Sequence, residues 1–292
     1  MKNLVSAVFS AFLLFACSSA DEPNISNSHP KDIQVVCPLL SDISDDGLSD
    51  VYVYENGQLV SYINSYSPGS YFITDYSYND RGLLIRATEQ KQYGEIIDFE
   101  YDQADRLTRV KMKSNDQTSS MRVGKGISLS DLMWKIRSKR IKATMEGEYF
   151  LIYEFRYQGA NFLPSEVVGF IDGEEMMGRL KFEYKGGNAT RVFSEDEDGG
   201  TYEMLFEFDD KPLKEASLPF PLRFMYFVIS ENNFTHIEER IDGVVSVESD
   251  YRYQYDDNGL VLTTDLNFKE LDNDGQVFNS GTVYIQSTYL CE

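Results

Sequence analysis

The feature that most constrains the fold is a short aromatic repeat that runs through most of the chain. Each copy has two aromatic residues separated by one residue, then a turn rich in Asn, Asp and Gly, then an apolar residue. These positions are 23 to 27 residues apart, or about twice that where a degenerate copy intervenes. A period of this length is typical of a repeated supersecondary unit. The second aromatic residues of the copies are Tyr54, Tyr78, Tyr101, Tyr157, Tyr184, Phe208 and Tyr255.

One copy is expected to form a β-hairpin. Side chains alternate between the two faces of a strand, so both aromatic rings of a copy point to the same face. Gly57, Gly82 and Gly259 fall in the turns, where hairpins require positive φ. Because a single hairpin cannot bury its aromatic face, neighbouring hairpins must stack. The sequence therefore predicts an all-β fold, an antiparallel meander of about eight hairpins forming one long curved sheet. The repeat does not decide whether the sheet is open or closed.

One segment interrupts the repeat. Leu129, Leu132, Met133 and Ile136 recur at helical spacing, with Ser128 placed as the N-cap. This pattern predicts one amphipathic helix near residues 129–141, packed on the sheet.

The copy Tyr253-Gln254-Tyr255-Asp256-Asp257-Asn258-Gly259-Leu260 resembles the YD repeat of Rhs-type shell proteins. The segment 206–213, followed by Asn232-Asn233, is similar to uncharacterised outer-membrane lipoproteins of Bacteroidetes that use the same hairpins. Eight hairpins are too few for the closed shell of large Rhs proteins. The resemblance implies a fold and hardly any function.

The N-terminus has the pattern of a cleaved export signal. Lys2 precedes an apolar run from Val5 to Phe15, too short to span a bilayer. The run ends in Leu-Phe-Ala-Cys17, which resembles the lipobox of bacterial lipoproteins and implies acylation of Cys17. We therefore expect a signal peptide at 1–16, a lipidated flexible tether at 17–36 and a repeat-built β domain at 37–292. The resemblance implies an outer-membrane protein anchored by acyl chains, on the periplasmic face or the cell surface.

The other two cysteines lie near the ends of the predicted β domain. If Cys17 is acylated, Cys37 and Cys291 remain as an even pair in an oxidising compartment, which predicts a disulfide between them. Two buried free thiols are the alternative.

The chain contains no recognisable catalytic constellation. Its two histidines are His29, in the predicted tether, and His236. No spacing of Cys and His suits zinc or a nucleophile–base pair, and there is no phosphate-binding glycine loop. The net charge of -21 argues against nucleic-acid binding. We therefore predict no catalytic residues.

One acidic loop has the spacing of a calcium site. Its oxygen-bearing residues follow the Asp-x-Asn-x-Asp-Gly pattern of FG-GAP-type loops, which they resemble, and calcium prefers hard oxygen ligands. An Asp-Gly turn before the first repeat strand is the alternative interpretation. The candidate ligands of this structural calcium are Asp42, Ser44, Asp46 and Asp50.

Positive charge is concentrated in one stretch of an otherwise acidic chain. Between Arg106 and Lys142 there are eleven basic and two acidic residues, a net charge of +9. A solvated face balanced by acidic neighbours is one interpretation. The other is an anion-binding patch for anionic polysaccharide, anionic lipid or an acidic protein partner. The candidate patch consists of Arg106, Arg109, Lys111, Lys113, Lys135, Arg137, Lys139, Arg140 and Lys142.

These observations favour a lipid-anchored, non-enzymatic binding or scaffold protein of the bacterial outer membrane. A surface glycan-binding module that uses the aromatic-rich sheet and the basic patch is the alternative, followed by a carbohydrate hydrolase. A glycan-binding module requires aromatic rings exposed in a groove, and a hydrolase requires two facing carboxylates in a cleft.

Overall fold

The computed structural model describes residues 37–45, 47–67, 70–90, 95–113, 151–171, 174–195, 199–225, 229–272 and 274–290. The predicted signal peptide and tether, and the predicted helix at 129–141, lie outside these residues. No helix in the described ranges is long and apolar enough to cross a bilayer.

The described chain forms sixteen antiparallel strands, each hydrogen-bonded to its neighbours in sequence. The last strand also pairs with the first, with Leu39 opposite Tyr289 and Ser44 opposite Ile285. The strands are β1 Leu39–Ser44, β2 Ser49–Glu55, β3 Gln58–Ser67, β4 Ser70–Tyr78, β5 Leu84–Glu89, β6 Ile96–Tyr101, β7 Leu107–Lys113, β8 Leu151–Arg156, β9 Glu166–Ile171, β10 Glu174–Lys185, β11 Asn188–Glu195, β12 Thr201–Pro212, β13 Asn232–Ile241, β14 Val244–Tyr255, β15 Val261–Leu271 and β16 Val277–Tyr289.

The predicted antiparallel meander is confirmed, but the predicted long curved sheet is wrong because the sheet closes into a barrel. Closure depends on a bulge that recurs just before the second aromatic residue. Val53 pairs with Ser61 while Tyr54 pairs with Leu59, so the return strand carries one extra residue. The same shift occurs in the copies ending at residues 78, 101, 184, 208 and 255. Bulges bend and twist a sheet, and regular repetition curves it toward closure.

The aromatic pairs point into the barrel, which confirms that both rings of a copy share one face. Tyr52, Phe99, Phe155, Phe182 and Phe206 are buried in one apolar core. The second rings of the copies, such as Tyr54 and Phe208, pack against that core.

The outer face of the wall carries charged side chains that alternate with the buried ones. In β5, for example, Ala87 is buried while Arg86 is exposed and pairs with Asp98 on β6. Such pairs also join β7 to β8, β8 to β9, β11 to β12 and β14 to β15. They are Arg109–Glu154, Arg156–Glu166, Arg191–Glu203 and Lys269–Glu248. Each exposed pair contributes little stability, but together they mark the outer side of the wall.

The repeat turns all lie at one end of the barrel, here called the turn end. It includes Asn56-Gly57, 79–83, 102–106, Gly186-Gly187 and 256–260. The predicted positive φ angles of Gly57, Gly82 and Gly259 are confirmed at 75°, 74° and 82°.

A belt of tyrosines joins successive hairpins at the turn end. The hydroxyl of Tyr78 donates to the carbonyl of Leu59, which opens the return strand of the preceding hairpin, at 2.6 Å. The hydroxyls of Tyr101, Tyr157 and Tyr184 donate in the same way to the carbonyls of Leu84, Leu107 and Pro164. Burial raises the pKa of each of these phenols, which keeps them protonated as donors.

Candidate functional site

The turn end is closed by the connection between β12 and β13, of which residues 213–225 and 229–231 are described. This segment, here called the plug, contains the 3₁₀ helix Lys214–Ser217 and the helix α1, Phe220–Met225. Pro219 and Pro221 break the hairpin repeat at this point. Five apolar side chains of the plug itself are buried, namely Leu213, Leu218, Leu222, Phe224 and Ile229.

The plug reaches opposite sides of the barrel. The ring of Phe224 lies 4.7 Å from that of Phe155 on β8 and 5.6 Å from that of Phe182 on β10. On the other side, Ser217 Oγ accepts a hydrogen bond from the Leu39 N–H of β1 at 3.1 Å and lies 3.3 Å from Tyr54 Oη of β2. These strands are about half a circumference apart, so the plug crosses the lumen.

Asparagine side chains hold the two stems of the plug together. Asn233 is buried, accepts from the Lys214 N–H at 2.7 Å and donates to the Pro212 carbonyl at 2.9 Å. Asn232 Nδ2 donates to the Lys211 carbonyl at 3.0 Å. Asn188 Oδ1 accepts from the N–H of Glu231 at 2.8 Å. The Asn232-Asn233 pair of the sequence therefore has a structural role as a clamp.

A buried polar cluster lies where the plug meets the seam between the first and last strands. Lys214 Nζ lies 2.9 Å from Asp42 Oδ2 on β1 and 3.3 Å from Glu215 Oε1. Ser287 of β16 donates to the other oxygen of Asp42 at 2.6 Å. Burial acts to lower the pKa of Lys214, but the charges of Asp42 and Glu215 raise it well above its ordinary value. Lys214 is therefore a buried cation whose counter-ions are Asp42 and Glu215 of the same chain.

Two of the predicted calcium ligands belong to this region. Asp42 and Asp50 are direct partners across β1 and β2. Asp50 accepts hydrogen bonds from Tyr62 Oη and Asn64 Nδ2, each at 2.5 Å, and burial raises its pKa. Ser44 Oγ donates to the Leu48 carbonyl at 3.1 Å.

The fourth predicted ligand, Asp46, lies outside the described ranges. Within those ranges no group of three His, Cys, Asp or Glu side chains could hold a metal ion. Asp42 and Asp50 are thus brought together, but both carboxylates are engaged by protein donors. Calcium binding stays a prediction.

The described part of the predicted anion-binding patch lies on or next to β7, where its charges are paired. Arg106 pairs with Asp102 at 2.7 Å, Arg109 pairs with Glu154 at 2.6 Å, and Lys111 pairs with Glu100. Lys113 ends the strand. The predicted patch residues Lys135, Arg137, Lys139, Arg140 and Lys142 lie outside the described residues.

Cys37 lies just before β1 and is disulfide-bonded. The Leu290 N–H donates to the Pro38 carbonyl at 3.0 Å, so the backbones next to positions 37 and 291 are in contact. Cys17 and Cys291 lie outside the described ranges. The pairing of Cys37 with Cys291 and the acylation of Cys17 stay predictions.

Sequence reasoning missed the plug and Lys214. The available signal was the long gap between the copy ending at Phe208 and Asn232, with Pro219 and Pro221 inside it. His236, the one histidine outside the predicted tether, forms a 2.8 Å cross-strand pair with Asp250 on the outer face.

No protein-family model and no curated protein sequence matches this chain. Among solved structures, a porin-like protein from Bacteroides uniformis is similar, with a TM-score of 0.53 and 13% identity over 86% of this chain and 95% of the other. A porin-like protein from Bacteroides vulgatus gives a TM-score of 0.46 and 10% identity, over 87% and 98% of the two chains. The first likeness indicates a shared fold.

Proposed function

We propose that the protein is a non-enzymatic binding or scaffold protein of a bacterial outer membrane, held there by acyl chains on Cys17. The observation that carries the proposal is the polarity of the barrel wall. Exposed ion pairs such as Arg109–Glu154 and Arg156–Glu166 lie on the outer face, whereas the aromatic rings of the repeat lie inside. A membrane-spanning barrel needs an apolar band on its outer face. This wall suits water, so attachment is assigned to the lipid.

The end at which the chain enters the barrel supports an orientation of the barrel relative to the membrane. β1 starts with Leu39 at the turn end, where its N–H bonds to Ser217 of the plug. The predicted tether from Cys17 therefore joins the barrel at its plugged end. At roughly 3.5 Å per extended residue, the tether reaches at most about 70 Å. We propose that the plugged end faces the membrane and that the opposite end is presented to binding partners.

The packing of the lumen also favours a binding or scaffold role over two other roles. These are transport through the barrel and the binding of a glycan by stacking on aromatic rings. The structural neighbours are described as porin-like, but here Phe155, Phe182, Phe206 and Phe224 pack inside the lumen. The repeat aromatics that suggested a glycan-binding module face the core rather than a groove. A glycan would therefore have to use other side chains.

Replacing Cys17 with serine tests the anchor. We expect Cys17→Ser to lose fatty-acid labelling and to move from the membrane fraction to the soluble fraction. Ser19→Ala, two residues away, should behave like the wild type. Retention of Cys17→Ser in carbonate-washed outer membranes would show that the wall itself attaches to the bilayer, and the proposal would be wrong.

An anionic polysaccharide or acidic protein is proposed as the partner of the basic stretch. Because Arg106, Arg109 and Lys111 are already paired, the test uses the remaining positions. Reversing Lys135, Lys139 and Lys142 to glutamate should weaken binding to an anionic polysaccharide, and binding by the wild type should fall as salt exceeds about 0.15 M. Reversing Lys181, Lys185 and Lys269 is the control of equal charge change. Equal losses in both triple variants would contradict a specific patch.

A further inference from the structure

The plug carries a second buried cation, Arg223 on α1, which has no described carboxylate within ion-pair distance. Arg223 keeps only 6% of its surface exposed. Its Nε is buried without a hydrogen-bond partner, and no described carboxylate forms an ion pair with it. The ring of Phe220 offers a cation–π contact, and its centroid lies 5.9 Å from the guanidinium carbon. This is weak compensation for a full charge.

Comparison with Lys214 shows how unusual this is. Lys214 lies in the same plug and has Asp42 and Glu215 within ion-pair distance. Two carboxylates act on Arg223 from farther away, Glu215 and Glu231. Glu215 already pairs with Lys214, and the Glu231 carboxyl group packs against the backbone of Gly187, where an added Cβ would meet it at 2.3 Å. Neither lies within the 4.0 Å of the guanidinium that an ion pair requires.

The charge on Arg223 persists at neutral pH. Burial lowers its pKa to about 10, which still leaves the guanidinium protonated. A buried charge without a close counter-ion is destabilising, so such a group normally has a partner. A second donor on the plug is also orphaned: Ser230 is 4% exposed and its Oγ has no partner. A guanidinium and a hydroxyl are typical donors to carboxylate and phosphate oxygens.

We propose that Arg223 is the anchor of a binding site for a small oxyanion, a carboxylate or phosphate group, at the plugged end of the barrel. The bound anion supplies the counter-charge that the described chain lacks. This inference rests on the plug alone and is independent of the lipid anchor and of the basic stretch around residues 106–142.

Calorimetric titration of the detergent-solubilised full chain tests the site. The probes are inorganic phosphate, galacturonate and glycerol phosphate, at constant ionic strength in chloride. We expect saturable binding of at least one probe, and the ranking of the three distinguishes a sugar carboxylate from free phosphate and from a lipid-like phosphate. Arg223→Met should weaken this binding by about tenfold or more, since one charge-assisted hydrogen bond is worth roughly that factor. Arg191→Met, on the outer face, is the matched control and should leave it unchanged.

The stability of the variants separates a ligand site from a structural role. In chloride alone, Arg223→Met should melt at the same temperature as the wild type or higher, because it removes an unpaired buried charge. Arg223→Lys keeps the positive charge but loses the planar guanidinium that can donate two parallel hydrogen bonds. This variant should therefore bind the anion more weakly than the wild type does. Absence of binding to the wild type, or equal binding by Arg223→Met, overturns the proposal. A lower melting temperature of Arg223→Met in chloride also overturns it, because it would assign the residue to packing.

Discussion

At the scale of single residues, the repeat is explained by what its Asp or Asn side chain does in the turn. Asp256 Oδ1 accepts the N–H groups of Asn258 and Leu260 at 2.9 and 2.8 Å. Asn79 and Asp102 accept from the equivalent positions in their own turns. The residue three positions on has positive φ and is Gly82 or Gly259 in two of these copies. One side chain therefore satisfies two backbone donors and sets the turn.

Gly82 tests the backbone requirement of this turn. Gly82→Val should lower the free energy of unfolding by about 1–3 kcal/mol, because φ is 74° and valine is strained there. A Cβ at this site would lie 3.5 Å from Gln58 Nε2, an ordinary contact, so strain rather than a clash sets the cost. Gly82→Asp is the control, since Asp105 adopts φ of 62° in the next turn, and should cost less. Equal costs in urea melts would contradict this explanation.

Asp256 tests the electrostatics of the same turn. The pKa of this carboxyl group is lowered below its ordinary value, mainly because the carboxylate accepts a hydrogen bond from the Leu260 N–H. A group with a lowered folded pKa contributes stability above its unfolded pKa of about 3.9 and loses it as pH falls through the folded pKa. Asp256→Asn keeps the acceptor, as Asn79 does, but cannot titrate. Urea melts at pH 7 and pH 3 should show a smaller loss of stability for the variant than for the wild type. The same loss in both proteins would refute the role assigned to the carboxylate.

At the scale of elements, the plug is the one described connection that departs from the hairpin pattern and crosses the lumen. Its hold on the wall combines the aromatic contacts of Phe224, the asparagine clamp and the Lys214–Asp42 pair. The ion pair links the plug to β1, which is the first strand of the closure seam. Its side chains are only 9% and 12% exposed, so little solvent screens it.

The Lys214–Asp42 pair predicts a strong non-additive effect. Lys214→Met should destabilise the protein by about 3–5 kcal/mol because it leaves the Asp42 charge buried and unpaired. Adding Asp42→Asn to that variant should recover part of the loss. Lys211→Met is the control, since Lys211 is exposed and pairs with Asp210 at 3.5 Å, and should cost no more than about 0.5 kcal/mol. Additive single and double variants in urea melts would show that the pair does not couple plug and seam.

At the scale of the whole molecule, closure joins the two ends of the β domain. β1 and β16 pair from Leu39–Tyr289 to Ser44–Ile285. No strand of the barrel is left with an unpaired edge, which removes the template for aggregation that an open sheet would present. Ion pairs such as Arg109–Glu154 lie on the outer surface of this closed barrel.

The Cys37–Cys291 bridge would lock this seam. We expect non-reducing peptide mapping of the purified protein to recover the two cysteine peptides joined. Replacing both cysteines with serine should lower stability, by at most about 5 kcal/mol for so long a loop. Cys17→Ser should leave the melting temperature unchanged, because Cys17 belongs to the predicted tether. A titratable thiol at Cys291 in the native protein would disprove the pairing.

The sequence by itself determined the local rules of this protein. The aromatic spacing decided which face of each strand is buried, and the Asp, Asn and Gly positions decided the turns, because both depend on residues only a few positions apart. It also led to Asp42 and Asp50 as neighbouring acidic residues and candidate calcium ligands, but not to their contacts with Lys214 and Tyr62. Only the tertiary structure decided closure, the path of the plug and the isolation of Arg223. Those features depend on contacts across the barrel, such as Leu39 with Tyr289, Asp42 with Lys214 and Phe155 with Phe224, and no local pattern encodes them.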